Sequence, residues 1–399
     1  RVEYDNIIYL INEEESTAGV IGYKRIKDKI IIIPRSIKEE SKEYYVTSIL
    51  ENAFEMSYIT SVQFPSDSKL HKICKDAFSR STIKSITIPS ELVELEEGWC
   101  DCTSKLTKIE VSPKNQRYSC YENKMIIGKT KIDQDNYDCL VFCVRDIQNI
   151  KIPSFIEHIY SYSFDHCKQL EKIEIPNDSK LQTINKKAFS FSTIKSITIP
   201  SELIDLKEGW CDCTSKLTKI EVSPKNPRYC CFNEKLIIGK TNIDESNYNC
   251  LVFCVRDIKY IQIPNFIEHI CSYSFKHCKQ LEKIEIPSDS KLQTINKEAF
   301  SFATIKDITI PSSVNLIGEG SFANCKQLEQ IVIPDDSKLE MIDKNSFSYS
   351  MIKSITIPSS VTLIGEGAFS DCRQLEQIII PDDSKLQIID KNAFSFTSI

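Results

Sequence analysis

The heptapeptide IKSITIP stands at residues 83–89, again at 194–200, and a third time, letter for letter, at 352–358. Recurrence of this kind is tested first as internal repetition, because a missed repeat mis-assigns the whole fold. The looser pattern apolar-x-x-apolar-x-apolar-Pro runs from 59–65 to 375–381, and at 106–113 and 217–224 it carries a Ser ahead of the Pro, which makes thirteen copies. Pro264, Pro287, Pro311, Pro334, Pro358 and Pro381 are spaced 23, 24, 23, 24 and 23 residues apart, so two unit types alternate with a true period of 47. Above this lies a larger duplication. Residues 83–193 match 194–304 at a shift of 111, with 89 of the 111 positions identical.

Positions one, four and six of each copy are apolar, and the Pro that follows cannot donate to a ladder and ends the strand. One such unit cannot bury its apolar face alone. Parallel stacking of successive units makes a shared core. Thirteen strands at roughly 4.8 Å predict a sheet about 60 Å long. In the return segment an apolar-x-x-Ile pair and a Phe five residues on point inward through a tight or briefly helical turn; Val361, Ile364, Ala368, Phe369 and Cys372 illustrate one coil. Cys167, Cys278, Cys325 and Cys372 recur only on alternate coils, about 10 Å apart, and are expected as buried free thiols.

The unit L-x-x-I-x-I-P-x-x-V-x-x-I-G-x-x-A-F-x-x-C resembles that of the BspA-like leucine-rich-repeat proteins of anaerobic bacteria and protozoan parasites, the Treponema pallidum type of repeat. The likeness runs from about residue 31 to 399. YYVTSILENAF at 44–54 and AGVIGYKRIKDKIIIIP at 18–34 resemble the family's N-terminal cap, and 114–146 and 225–257 resemble its inserted hairpin repeat. The resemblance implies an α/β-type repeat: a leucine-rich-repeat solenoid with one long parallel concave β-sheet, a convex side of short turns and brief helical or strand segments, and two inserted β-hairpins. Residues 1–58 would form a capping hairpin and first coil, and 59–399 the solenoid. EEGWCDC at 96–102 and KEGWCDC at 207–213 depart from the unit, with Trp and Cys in place of Ala and Phe.

Alternation in KMIIGKT and DCLVFCVRD predicts two antiparallel strands projecting from the solenoid, with Cys139 and Cys143, and likewise Cys250 and Cys254, sharing a face. A disulfide from Cys120 or Cys231 to one of these four is left open.

Charged residues make up 27% of the chain and hydrophobic residues 41%, with a net charge of −6. That balance lacks the basic excess of a nucleic-acid binder, and no apolar run is long enough to span a bilayer. The chain starts at Arg1 and stops at Ile399, where another strand should begin. Both ends therefore read as cut, which leaves open a signal peptide, tail or anchor outside them, and the uncapped C-terminal end is expected to self-associate.

Strand positions two, three and five face outward. Position two runs Glu282, Lys306, Glu329, Lys353, Glu376, an alternating charge ladder on neighbouring strands. With Lys259, Tyr260, Gln262, Lys283, Glu285, Asp307 and Gln330 these residues form the expected partner-binding face, on which Tyr260 is the lone aromatic. Asn177 opens the one N-x-S/T sequon and is the candidate glycosylation position.

His158 with His166, and His269 with His277, are duplicate pairs. His158 occupies an x position of the return segment, and His166 the slot of Asn324 and Asp371, both expected at the surface. A metal reading with the adjacent Cys167 or Cys278 is disfavoured, because those thiols point inward. KIDQDNYD at 131–138 suggests calcium, but its duplicate NIDESNYN loses two of three carboxylates. No phosphate loop, nucleophile elbow or carboxylate pair is present, so no catalytic residue, cofactor or metal is expected.

The resemblance implies a non-enzymatic adhesin or surface antigen, at the cell surface or secreted, that attaches to host cells or extracellular-matrix proteins such as fibronectin. The alternative is a cytoplasmic scaffold that uses the same face.

Overall fold

Most rungs bury their first, fourth and sixth residues, as Ile305, Ile308 and Ile310 do at 0, 2 and 0% exposure, while Lys306, Asp307 and Thr309 stay outside; the last rung departs, with Ile378 half-buried and Ile380 exposed. The computed structural model describes residues 1–24 and 29–399; the stretch 18–34 read as part of the N-terminal cap includes residues 25–28, which lie outside the described part. Two compact units divide the chain. One comprises residues 1–193 with 205–211, and the other residues 194–204 with 212–399.

In the first unit, Val2–Tyr4, Ile7–Asn12 and Thr17–Tyr23 form an antiparallel meander whose last strand pairs in parallel with Lys42–Ile49. A second sheet orders Ile30–Ile32, Ser61–Gln63, Ser85–Ile88 and Lys108–Val111, all parallel.

The second unit carries a nine-stranded sheet. Tyr229–Phe232, Leu236–Gly239 and Cys250–Cys254 are antiparallel. The two-residue strands His269–Ile270, Thr294–Ile295, Leu316–Ile317, Met341–Ile342, Leu363–Ile364 and Ile388–Ile389 then continue in parallel.

This layout corrects the expected single long sheet of Ile-Pro rungs. In the second unit those rungs pair only two by two: Tyr260–Gln262 with Lys283–Glu285, Asp307–Thr309 with Gln330–Val332, Ser354–Thr356 with Gln377–Ile379. The continuous ladder is the return segment instead. Apolar alternation reports which side chains are buried, and Ile284 and Ile308 are buried on either side of an open step. At that step Thr304 Oγ1 donates to Leu281 O at 3.2 Å, so a side chain spans where no ladder forms.

The expected α/β character and brief helical turns are not found. Among the described residues there is no helix, and the Phe-bearing turns are closed by residues with left-handed backbone. Phe275, Phe300, Phe322, Phe347, Phe369 and Phe394 stack in one column with ring centroids 4.8–5.3 Å apart. Each aromatic pair adds about 0.5–1.5 kcal/mol beyond its burial.

The antiparallel strands read at 124–130 and 138–146 form as Met125–Gly128 and Cys139–Cys143, but they do not project. Cys139–Cys143 is wholly buried and pairs onward with His158–Ile159. A register shift leaves Val141 without a ladder partner. Such a bulge reverses the alternation beyond it, so Cys139 and Cys143 do not share a face. The duplicate strand Cys250–Cys254 is shifted in the same way. Cys120 pairs with Ile126, and Cys231 with Ile237, which puts a whole strand between each and the cysteine-bearing strand. Two strand spacings exceed disulfide reach. Cys120, Cys139, Cys143, Cys231, Cys250 and Cys254 are free thiols.

Candidate functional site

The twelve residues read as a partner-binding face belong to the second unit, and all are exposed except Glu285, which is half-buried. The charge ladder closes at one step, where Lys353 Nζ meets Glu329 at 2.6 Å. No ion pair to Glu282, Lys306 or Glu376 forms among the described residues. Exposed pairs of this kind contribute little to stability, because solvent screens them.

The most constructed part surrounds Tyr260. Its hydroxyl donates to Glu285 at 2.7 Å, and Lys283 Nζ binds the same carboxylate at 2.6 Å while lying 5.9 Å from the Tyr260 ring centre. The Lys283 ammonium and the Tyr260 hydroxyl hold the Glu285 carboxyl below its ordinary range. Beside Tyr260 lies a groove of about 590 Å³ lined by Phe232, Lys235, Gln262, Pro264, Asn265 and Asp289 among others. The end of strand Tyr229–Phe232 and the turn residue Asn233 thus border the face, an addition that the pattern of the rungs alone did not indicate.

Asn177 is exposed in a turn, and Ser179 of the same sequon is 3% exposed, with its Oγ accepting from Leu181 N at 3.2 Å. His158 and His269 are half-buried in the return ladder, and His269 Nδ1 lies 2.9 Å from Thr294 Oγ1.

His166 and His277 depart from expectation. Both sit two residues after a core Phe, in a slot that is left-handed on coil after coil: Met56, Arg80, Cys102, His166 and Phe191 in the first unit, Cys213, His277, Phe302, Asn324, Tyr349 and Asp371 in the second. Their rings stack on the next slot residue, His166 on Phe191 at 4.7 Å and His277 on Phe302 at 4.8 Å, and His166 keeps only 13% of its side chain exposed. Neither is an open surface position. Cys167 and Cys278 are buried, as expected, at 0% exposure.

The slot row also explains which groups meet. Along most of the row a slot N–H donates to the carbonyl just before the next slot, as Asn324 N does to Ser348 O and His166 N to Ser190 O. Between Cys102 and His166 the chain forms the sheet strands Tyr118–Tyr121, Met125–Gly128 and Cys139–Cys143 and contributes no slot residue. Cys102 therefore adjoins His166, 64 positions along the chain, and its N–H donates to the side chain of Asp165 at 2.9 Å rather than to a carbonyl.

Two related clusters result. In the first, one donor atom each from Cys102, Asp165 and His166 lie within 4.8 Å of one another. Asp165, 1% exposed, accepts from Cys102 N and holds His166 Nδ1 at 2.8 Å. The Asp101 carboxyl adjoins Asp165 and Cys102; burial, then the Asp165 charge, pushes it up to about 6.

In the second, the donors are Asp212, Cys213 and His277. Here Lys276 replaces Asp165 and binds Asp212 at 3.0 Å and Glu298 at 2.7 Å. Cys213 Sγ lies 3.1 Å from His277 Nε2. Burial, then the Asp212 charge, pushes the thiol up to about 12, while burial, then the Lys276 charge, pushes His277 down to about 4. Cys213 Sγ also donates to Asp212 Oδ1 at 3.4 Å.

The sequence reading missed both clusters because it aligned His166 with the slot of Asn324 and Asp371 but did not place Cys102 there. The signal was present in GWCDC against GAFSD, which sets Cys102 opposite Asp371.

The family model described as BspA type leucine rich repeat region matches in six copies over residues 34–138, 136–250, 244–372 and 293–399. No curated protein matches the chain. A leucine rich cell surface protein from Faecalibacterium prausnitzii is 18% identical, with a TM-score of 0.51 over 100% of this chain and 92% of that one. A leucine-rich repeat protein from Eubacterium ventriosum is 17% identical, with a TM-score of 0.51 over 99% and 94%. The pneumococcal vaccine antigen PcpA, at 19% identity, covers 96% and 82% with a TM-score of 0.47.

Proposed function

The chain belongs to the BspA-type leucine-rich-repeat family, and from that premise we propose that it is a non-enzymatic binding protein, displayed at the cell surface or secreted, that attaches to a host-cell or extracellular-matrix protein. The observation that carries this reading is the exposed rung face of the second unit, where Tyr260, braced by Glu285 and Lys283, borders a groove with apolar and polar walls. An amphipathic aromatic beside a groove suits a protein ligand. The Faecalibacterium protein of like fold is described as a cell surface protein, which supports the location.

The test is surface plasmon resonance against fibronectin and other matrix proteins, together with attachment to host cells. Binding in the micromolar range is expected, weakened about tenfold or more by Tyr260→Ala with Gln262→Ala. No association with any matrix protein or host cell would overturn the reading. The cytoplasmic scaffold draws support from the many thiols left free, such as Cys120 and Cys231. Antibody staining of intact, unpermeabilised source cells separates the two, since a scaffold would stain only after permeabilisation.

A further inference from the structure

We propose that Cys102, Asp165 and His166 form a three-donor site for one zinc ion, and that Lys276 keeps the duplicated cluster at Asp212, Cys213 and His277 free of metal. The donors are a thiol, an imidazole and a carboxylate, the set that selects zinc over the all-oxygen calcium or magnesium. A tetrahedral zinc site sets such donors roughly 3.4–3.7 Å apart. The three donor atoms lie within 4.8 Å of one another, so closure requires only small side-chain rotations.

Two features preorganise the site. The His166 ring packs against Phe191, and its Nδ1 lies 2.8 Å from the Asp165 carboxylate, so two donor atoms already sit side by side. Access is open, because Cys102 is only half-buried.

The duplication supplies the contrast. Asp101, Cys102 and His166 recur as Asp212, Cys213 and His277, but Asp165 becomes Lys276. In the second cluster the Lys276 ammonium neutralises Asp212 and Glu298. Among the described residues no lysine or arginine forms an ion pair with Asp101 or Asp165 of the first. Lys187, at the position of Glu298, lies over the Tyr162 ring at 5.7 Å. Arg145 directs its N–H groups to Ser163 O, Tyr162 O and the Cys100 and Cys167 sulfurs. A dication supplies to the carboxylates of the first cluster what the lysine supplies in the second. On binding, the Cys102 thiol releases its proton to solvent as the S–Zn bond forms.

The experiment titrates the reduced, metal-free chain with zinc against a chromophoric chelator and repeats it with cobalt. The wild type is expected to take up one tight equivalent, with a thiolate-to-cobalt charge-transfer band. Cys102→Ser and His166→Asn should each weaken it by about a hundredfold or more. His166→Asn guards against misfolding, since the equivalent slot already holds Asn324 in left-handed conformation. Lys276→Asp should add a second equivalent. A wild type without a tight equivalent, or one that survives both Cys102→Ser and His166→Asn, would overturn the site, and Lys276→Asp remaining at one equivalent would overturn the role of the lysine.

Discussion

His277 shows how much a repeat slot can change a side chain's chemistry. In solution its imidazole titrates near 6.5, whereas burial and the neighbouring Lys276 ammonium push it down to about 4. A depressed histidine is neutral when folded. It contributes stability that is present above about 6.5 and lost as pH falls toward 4, because the unfolded chain takes up the proton first. After allowance for its partial exposure the effect is about 2 kcal/mol. Urea midpoints measured between about pH 7 and pH 4.5 should therefore fall less steeply for His277→Gln than for the wild type; parallel slopes would refute this. That both copies place a histidine in this slot was legible in the sequence. That the slot is walled by Phe302, Asp212 and Cys213 was not, because those residues lie on other coils.

Among elements, the antiparallel strands starting at Tyr118 and Tyr229 depend on one buried asparagine each. Asn115 Nδ2 donates to Pro89 O and Leu92 O at 2.7 and 2.8 Å, and its Oδ1 accepts from Arg117 N and Tyr118 N at 2.9 and 2.7 Å. Asn226 repeats the arrangement with Pro200 O, Leu203 O, Arg228 N and Tyr229 N. Asn115→Ala leaves these buried backbone groups unpaired and should cost about 3 kcal/mol in chemical unfolding. Asn115→Asp, which keeps the acceptor and loses the donors, should cost less than the alanine. The strand Cys139–Cys143 was legible as a strand from its alternation, but its place inside the sheet was not. Burial on both faces looks the same in sequence whether a strand projects or continues a ladder.

Over the whole chain, each coil meets chiefly its neighbours, so stability is a sum of local terms. Phe347 lies at 0% exposure between Phe322 and Phe369, at 5.3 and 5.2 Å. Phe347→Ala should remove about 3–5 kcal/mol. Hydrogen exchange should then speed up at Phe322, Phe369 and their coils while Phe54 and Phe78, in the first unit, keep their protection. Uniform loss of protection along the chain would contradict this picture.

By itself the sequence determined the repeat, its period of 47, the buried rungs and the column of aromatics, because burial of every coil is written locally as an apolar spacing that the next coil repeats. Only the tertiary structure decided that the continuous ladder of the second unit lies in the return segment, and that Cys102 meets Asp165 and His166. Those outcomes depend on which coils become neighbours. Where 118–143 turns into sheet strands instead of a slot-bearing turn, stacking joins groups whose separation along the chain conceals their contact.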